Sequence, residues 1–198
     1  MGRATLLDES IDSPHLELLL EALDRIEEIV ENTLTLARDG ETVSDFAPVE
    51  LADIAGRCWG MVETAGASLS IEGTGTIHGD VDRLNHLFEN FFRNAEEHGA
   101  TNTLMESEHG VEADRSPVTV WVGLLEEGGF YVADDGPGIP EQLRESIFDP
   151  GYTSSAEGTG FGLAICRRIV EAPGWAIRVT ESDTGGARFE ITGIERAD

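Results

Sequence analysis

Apolar positions along the chain predict most of its elements. In residues 13–38, Leu16, Leu23, Val30 and Ala37 recur every seven residues, with Leu19, Ile26 and Thr33 between them. That spacing predicts a helix with a heptad seam, and a lone seam needs a partner. The seam either pairs in a bundle or docks as an amphipathic helix on the rest of the chain. Ser13 suits the N-cap and Pro14 the first helical position, while Gly40 ends the run. Residues 45–50 read as a short extended linker. A second helix is expected over 50–66, with Leu51, Ile54, Ala55, Cys58 and Val62 on one face. Two short strands follow in 68–79, broken at Gly73-Thr74-Gly75.

The strongest helical pattern lies in residues 80–98, where Leu84, Leu87, Phe88, Phe91 and Ala95 form a stripe. Residues 100–116 are polar and aperiodic, as in a loop. Strands are expected at 117–125 and 129–134, joined by a Glu126-Glu127-Gly128-Gly129 turn. The Gly-, Pro- and Ser-rich stretch 136–158 is too long for a plain connection, and loops of that length are usually functional. Residues 159–172 read as helix, and 174–181 and 187–193 as closing strands around Gly185-Gly186. Helices interleaved with hairpin strands predict an α+β fold, a two-layer sandwich with a mixed β-sheet covered on one face by helices.

Charge narrows the picture. There are 39 acidic and 13 basic residues, for a formal net charge of −26, and no lysine at all. Such a chain suits concentrated salt, where repulsion is screened within roughly 3 Å at 1 M and high charge maintains solubility. It argues against a duplex nucleic-acid partner, whose phosphates would be repelled without a basic patch. Cys58 and Cys166 show no metal spacing and read as small buried hydrophobes. No apolar run reaches the roughly 20 residues that span a bilayer, and the N-terminus has no signal-peptide core. The expectation is a cytoplasmic chain with no membrane segment.

Three groups of residues carry candidate chemistry. Asn90 and Asn94 lie one turn apart on one helix face. Asn94 offers a hard carbonyl oxygen suited to Mg²⁺ beside phosphates; equally, the pair could be the solvated face of the helix. Asp134 ends an apolar strand, where a carboxylate can accept a hydrogen bond from an exocyclic amine such as that of adenine. Gly136 and Gly138 follow it and would let backbone pass near a planar ring, although Asp-Gly turns are also common. Gly158, Gly160 and Gly162 precede or open a helix, an arrangement that cradles phosphate. Their spacing is neither a dinucleotide fingerprint nor a P-loop, which needs a lysine.

Together, residues 80–193 resemble the ATP-binding catalytic domain of sensor histidine kinases, in the GHKL ATPase superfamily. Leu87-Phe88-Glu89-Asn90-Phe91-Phe92-Arg93-Asn94-Ala95 resembles the asparagine box, and Val132-Ala133-Asp134-Asp135-Gly136-Pro137-Gly138-Ile139 the first glycine box. Ile147-Phe148-Asp149-Pro150-Gly151-Tyr152-Thr153-Ser154 is similar to the phenylalanine box. Gly158-Thr159-Gly160-Phe161-Gly162-Leu163-Ala164-Ile165 is similar to the second glycine box. The resemblance implies an ATP site in which Asn94 holds Mg²⁺, Asn90 is catalytic and Asp134 binds adenine. It implies further nucleotide contacts from Glu97, His98, Gly136, Gly138, Ile139, Tyr152 and Thr153. Gly158, Thr159, Gly160, Phe161, Gly162 and Leu163 complete them, with 136–162 closing over the phosphates. Residues 1–44 resemble the second helix of the family's dimerisation and phosphoacceptor hairpin, which implies a homodimer through 13–38 and a catalytic domain over 45–198. The wording of the boxes and the missing lysine look haloarchaeal.

The chain departs from the family in two ways. The phosphoacceptor histidine box is missing: His15 stands in Ser13-Pro14-His15-Leu16-Glu17, which does not match it. The expected partners are therefore ATP and either a response regulator or a protein carrying the acceptor histidine. Lysines that commonly contact phosphate are also missing, with Glu97 at one such position and Ser154-Ser155 at another; Arg144 or bound cations could substitute. Other readings stay open: a truncated kinase, a non-catalytic ATP-binding or pairing module, a GHKL ATPase, or an anti-sigma-type serine kinase. ATPase relatives place a glutamate general base one turn before the metal asparagine. That position is Asn90 here, which favours phosphoryl transfer.

Overall fold

The computed structural model describes residues 46–62, 66–73, 75–99, 117–153 and 158–197. The heptad-patterned segment 13–38, the loop 100–116 and Ser154-Ser155 lie outside the described residues. The elements run β1 (Ala47–Glu50), α1 (Leu51–Trp59), β2 (Ser68–Glu72), β3 (Thr76–Gly79), α2 (Val81–Gly99), β4 (Thr119–Leu124) and β5 (Phe130–Asp134). Then come α3 (Gly162–Glu171), β6 (Ala176–Glu181), β7 (Ala187–Thr192) and β8 (Arg196–Ala197). The main sheet has the order β2-β4-β5-β7-β6, with β2 parallel to β4 and the other pairs antiparallel. It is the expected mixed sheet with helices on one face. A second sheet, β1-β3-β8, was not anticipated.

Alternation along the strands settles which face meets the helices. Val120 and Val122 of β4, Phe130 and Val132 of β5, and Phe189 and Ile191 of β7 point inward and are buried. They meet the stripe of α2: Phe88 stacks on Phe130 at 5.2 Å and Phe91 on Phe189 at 4.9 Å. Trp59 of α1 packs edge-on against Phe92 at 5.1 Å. Truncating any of the buried phenylalanines to alanine would cost about 3–5 kcal/mol, so this seam fixes α2 against the sheet. Asp80 starts α2 sharply. Its carboxylate accepts from the backbone N–H of Asp82 and Arg83 at 3.0 and 3.2 Å, as an N-cap should.

The opposite face carries one continuous row. Glu72, Gly123, Tyr131, Glu190 and Arg178 are register partners from one edge of the sheet to the other. Gly123 has no side chain, and a Cβ there would lie 2.6 Å from the Tyr131 hydroxyl. The hydroxyl therefore passes over β4 and donates to the Glu72 carboxylate on β2. The Arg188 guanidinium covers the Tyr131 ring, 3.6 Å from its centre. Glu190 accepts from Arg188 at 2.8 Å and Arg178 at 2.5 Å. Burial alone would raise the Glu190 pKa, but the two arginines lower it below its ordinary value.

Four expectations need correction. The linker at 45–50 is in part a strand: Val49 is buried and pairs with Ile77. The helix expected to reach 66 ends at Trp59, where Gly60 and the Met61-to-Cys58 hydrogen bond turn the chain. Val62 still packs on the core, but from that turn. The last helix starts at Gly162 rather than 159, because Gly160 has φ +72°, which a right-handed helix does not admit. The stretch after Asp134 is not wholly loose, since Ile147 and Phe148 sit in a 3-10 turn buried in the core. Both cysteines are buried as expected. Burial, then the charge of Glu89, pushes the Cys58 thiol up to about 11, and burial raises Cys166 as well.

Candidate functional site

α2 and α3 bring Asn90, Asn94 and Gly162 together, while Asp134 stands at the end of β5. Asn90 and Asn94 lie on the face of α2 that meets the start of α3. A Cβ on Gly162 would lie 3.0 Å from Asn90 Oδ1 and 3.8 Å from Asn94 Oδ1. Both amide oxygens thus face the first residue of α3, and a methyl group there would crowd Asn90 while only touching Asn94. Asn90 is held by its own helix, Nδ2 donating to the His86 carbonyl at 2.8 Å. Asn94 Nδ2 is buried and has no hydrogen-bond partner among the described residues. A buried, unmatched amide N–H costs about 1–3 kcal/mol, so this position is costly as plain core. Glu89, the residue before Asn90, faces elsewhere: its charge acts on Cys58 of α1. Glu97 is exposed, and His98 falls in the last turn of α2.

Asp134 ends β5 with the same parity as Val132 and Phe130, so it faces the helix layer. Its Oδ1 accepts from the backbone N–H of Gly136 at 2.9 Å and of Ala187 at 3.0 Å. One amide from the turn after β5 and one from the start of β7 thus hold the carboxylate. Gly186 approaches so closely that a Cβ would lie 2.1 Å from the Asp134 carbonyl oxygen. Asp135 takes a different role, accepting from the N–H of Thr119 at 2.8 Å and tying the start of β4 to the end of β5. Gly138, at φ +71°, crosses the β6–β7 turn where a Cβ would meet the Gly185 carbonyl at 2.6 Å. Ile139 is packed against the core, and its carbonyl accepts from Arg144 Nε at 3.1 Å. Arg144 therefore braces this loop.

The two glycine-rich segments touch beyond that point. Gly151 N–H donates to the Gly160 carbonyl at 3.0 Å, and a Cβ on Gly160 would lie 2.8 Å from the Tyr152 carbonyl. Tyr152, Phe161 and Leu163 are partly buried against the core, Thr153 is exposed, and Gly158 and Thr159 are half-buried. Phe161 accepts the first backbone bond of α3, from Ile165, at 2.9 Å. The helix therefore opens where the glycine run stops, with its first N–H groups beside the asparagines. An N-terminus of this kind favours anions.

Sequence reasoning placed the β6–β7 turn at Gly185-Gly186 but gave its side chains no part beside Asp134. Ser182 is buried, and its hydroxyl donates to the Asp134 carbonyl at 2.7 Å while accepting from Gly186 N–H at 2.9 Å. Thr184 adds a second donor to the same carbonyl at 3.3 Å. In the sequence these residues are an ordinary Ser-Asp-Thr-Gly-Gly turn, and only the position of the strand end makes them part of the site.

Residues 79–195 match the family described as histidine kinase-, DNA gyrase B-, and HSP90-like ATPase. The chain is 28% identical over 209 aligned positions to the sensor histidine kinase CpxA of Escherichia coli strain K12, covering 96% of this chain and 42% of CpxA. A 65-residue stretch is 52% identical to the sensor protein CitS of Halalkalibacterium halodurans, covering 32% of this chain and 12% of CitS. The chain thus spans less than half the length of these curated relatives. Among solved structures, full-length ShkA in complex with AMPPNP superposes with a TM-score of 0.65 at 25% identity, over 99% of this chain and 42% of that one. With this fold and a family match over more than half its length, the chain belongs to the histidine kinase-, DNA gyrase B-, and HSP90-like ATPase family and is homologous to the catalytic domains of sensor histidine kinases.

Proposed function

We propose that the chain binds ATP between β5, α2 and α3 and transfers its γ-phosphoryl group to a histidine on another chain. One observation carries this reading: Asp134 is pinned by two backbone amides at the end of β5 and faces the helix layer, in which Asn90 and Asn94 of α2 meet Gly162 of α3. Asp134 would accept from the exocyclic amine of adenine. The N–H groups opening α3 would receive phosphate oxygens. Asn94 fits Mg²⁺, since a neutral amide oxygen completed by phosphate oxygens and water is a donor set this ion accepts. Bound there, Mg²⁺ would neutralise charge on the β- and γ-phosphates.

Asn90 supports transfer rather than hydrolysis. Its amide nitrogen is committed to His86, which leaves an oxygen directed at α3 and no carboxylate to activate water. Glu89 is the neighbouring carboxylate, and its charge acts toward α1 instead. Phosphoryl transfer depends mainly on positioning and charge neutralisation. None of the five histidines stands in an acceptor box, which supports an acceptor on another polypeptide. Pairing through residues 13–38 and a cytoplasmic, salt-adapted setting belong to the same proposal.

The direct test is calorimetric titration of ATP into the chain in concentrated KCl, with and without Mg²⁺. Saturable binding, strengthened by Mg²⁺ in the wild type but not in Asn94→Ala, supports the reading. No binding of ATP in either condition would overturn it.

A further inference from the structure

We infer that Ser182 is a positioning residue for base recognition, acting through Asp134; this rests on the proposed ATP site. Ser182 is one of two buried polar or charged residues among those described. The other, Glu190, is matched by two arginines on the open face of the sheet. Ser182 instead is wired to the strand end that carries Asp134. Its hydroxyl donates to the Asp134 carbonyl at 2.7 Å and accepts from Gly186 N–H at 2.9 Å. The residue after Gly186 is Ala187, whose N–H holds Asp134 Oδ1 at 3.0 Å. Ser182 and Gly186 also exchange a backbone bond at 2.9 Å.

The hydroxyl therefore fixes both sides of the contact that orients the carboxylate: the backbone of Asp134 and the amide beside the one that grips its side chain. Without it, the Asp134 carbonyl loses its 2.7 Å hydroxyl donor while the longer bond from Thr184 at 3.3 Å stays, and Gly186 N–H loses the Ser182 hydroxyl. The turn can then drift, carrying Ala187 N–H away from Oδ1. The carboxylate would lose that hold, and with it the ability to tell an amine from a carbonyl on the purine.

ATP and ITP separate this role from a merely structural one. Inosine presents a carbonyl oxygen where adenine presents its amine, so an oriented carboxylate prefers ATP, while phosphate contacts are common to both. In the full chain, Ser182→Ala should reduce the ITP-to-ATP ratio of dissociation constants by about tenfold, through weaker ATP binding with ITP nearly unchanged. Ser182→Thr, which keeps the hydroxyl, should restore the ratio. Thr184 is exposed, so Thr184→Ala will fold even if Ser182→Ala does not, and it should reduce the ratio about twofold. Equal losses for both nucleotides, or an unchanged ratio in Thr184→Ala, would overturn the inference and leave the ATP site standing. A wild-type chain that binds ATP and ITP equally would overturn the adenine reading of Asp134 itself.

Discussion

Gly162 sits opposite Asn90, with a Cβ at the glycine 3.0 Å from the asparagine Oδ1. Asn90 cannot swing clear without breaking its bond to His86. Gly162→Ala should therefore push the amide out of place and reduce ATP affinity at least tenfold. The same change removes a glycine from a helix, worth up to about 1 kcal/mol of stability in favour of alanine. Binding and thermal stability should move apart, with affinity lost and Tm held or raised. Calorimetry and a melting curve on one preparation check both.

Gly186 makes the opposite case. A methyl group there meets the Asp134 carbonyl oxygen at 2.1 Å, and backbone cannot rotate aside. Gly186→Ala should cost about 1–3 kcal/mol, or about 2–4 °C of Tm for each kcal/mol, together with ATP binding. Gly56→Ala is the control. It lies in α1 with nothing within 4 Å of its Cβ, and it should raise stability by up to about 1 kcal/mol.

Tyr131 should titrate late. Burial first, and its bond to Glu72 second, push its pKa up to about 12. In the unfolded chain the phenol ionises near 10. The folded state therefore holds its proton more tightly, and the resulting stability is complete below pH 10 and is lost between about pH 10 and 12. Tyr152→Phe leaves Tyr131 as the only tyrosine. Tyrosinate absorbance in that variant should rise near pH 12 when folded and near pH 10 in denaturant. A native transition near pH 10 would mean that Gly123 does not admit the hydroxyl to Glu72.

A net charge of −26 on 198 residues carries its own cost. Screening within roughly 3 Å at 1 M salt removes repulsion between all but neighbouring carboxylates. Tm should climb steadily as KCl rises from 0.1 to about 2 M. A melting temperature indifferent to KCl would mark the chain as merely acidic, with no adaptation to salt.

The sequence makes local chemistry plain and long-range contacts obscure. Asn90 and Asn94 were legible because helical spacing puts them on one face, and Asp134 because an apolar strand ends there. The α+β class followed from the alternation of patterns. β1 was missed because Val49 earns its strand from Ile77, 28 residues on. The start of α3 was misplaced because the left-handed conformation of Gly160 leaves no mark beyond the glycine itself. Ser182 was missed for a related reason. A serine before a Gly-Gly turn looks solvated, and its burial comes from a strand end 48 residues away. The nucleotide-binding roles of the candidate residues, from Asn90, Asn94 and Asp134 to Glu97, His98 and Thr153, are proposals that rest on the family resemblance.

Phosphoryl transfer in trans is the central claim. The measurement that meets it is incubation of the chain with Mg-ATP and a separate polypeptide bearing an acceptor histidine, followed by assay for acid-labile phosphate on that polypeptide. The account predicts labelling that depends on the wild-type chain and disappears with Asn94→Ala. Saturable ATP binding with no phosphate on the acceptor would contradict it and leave a nucleotide-binding module in its place.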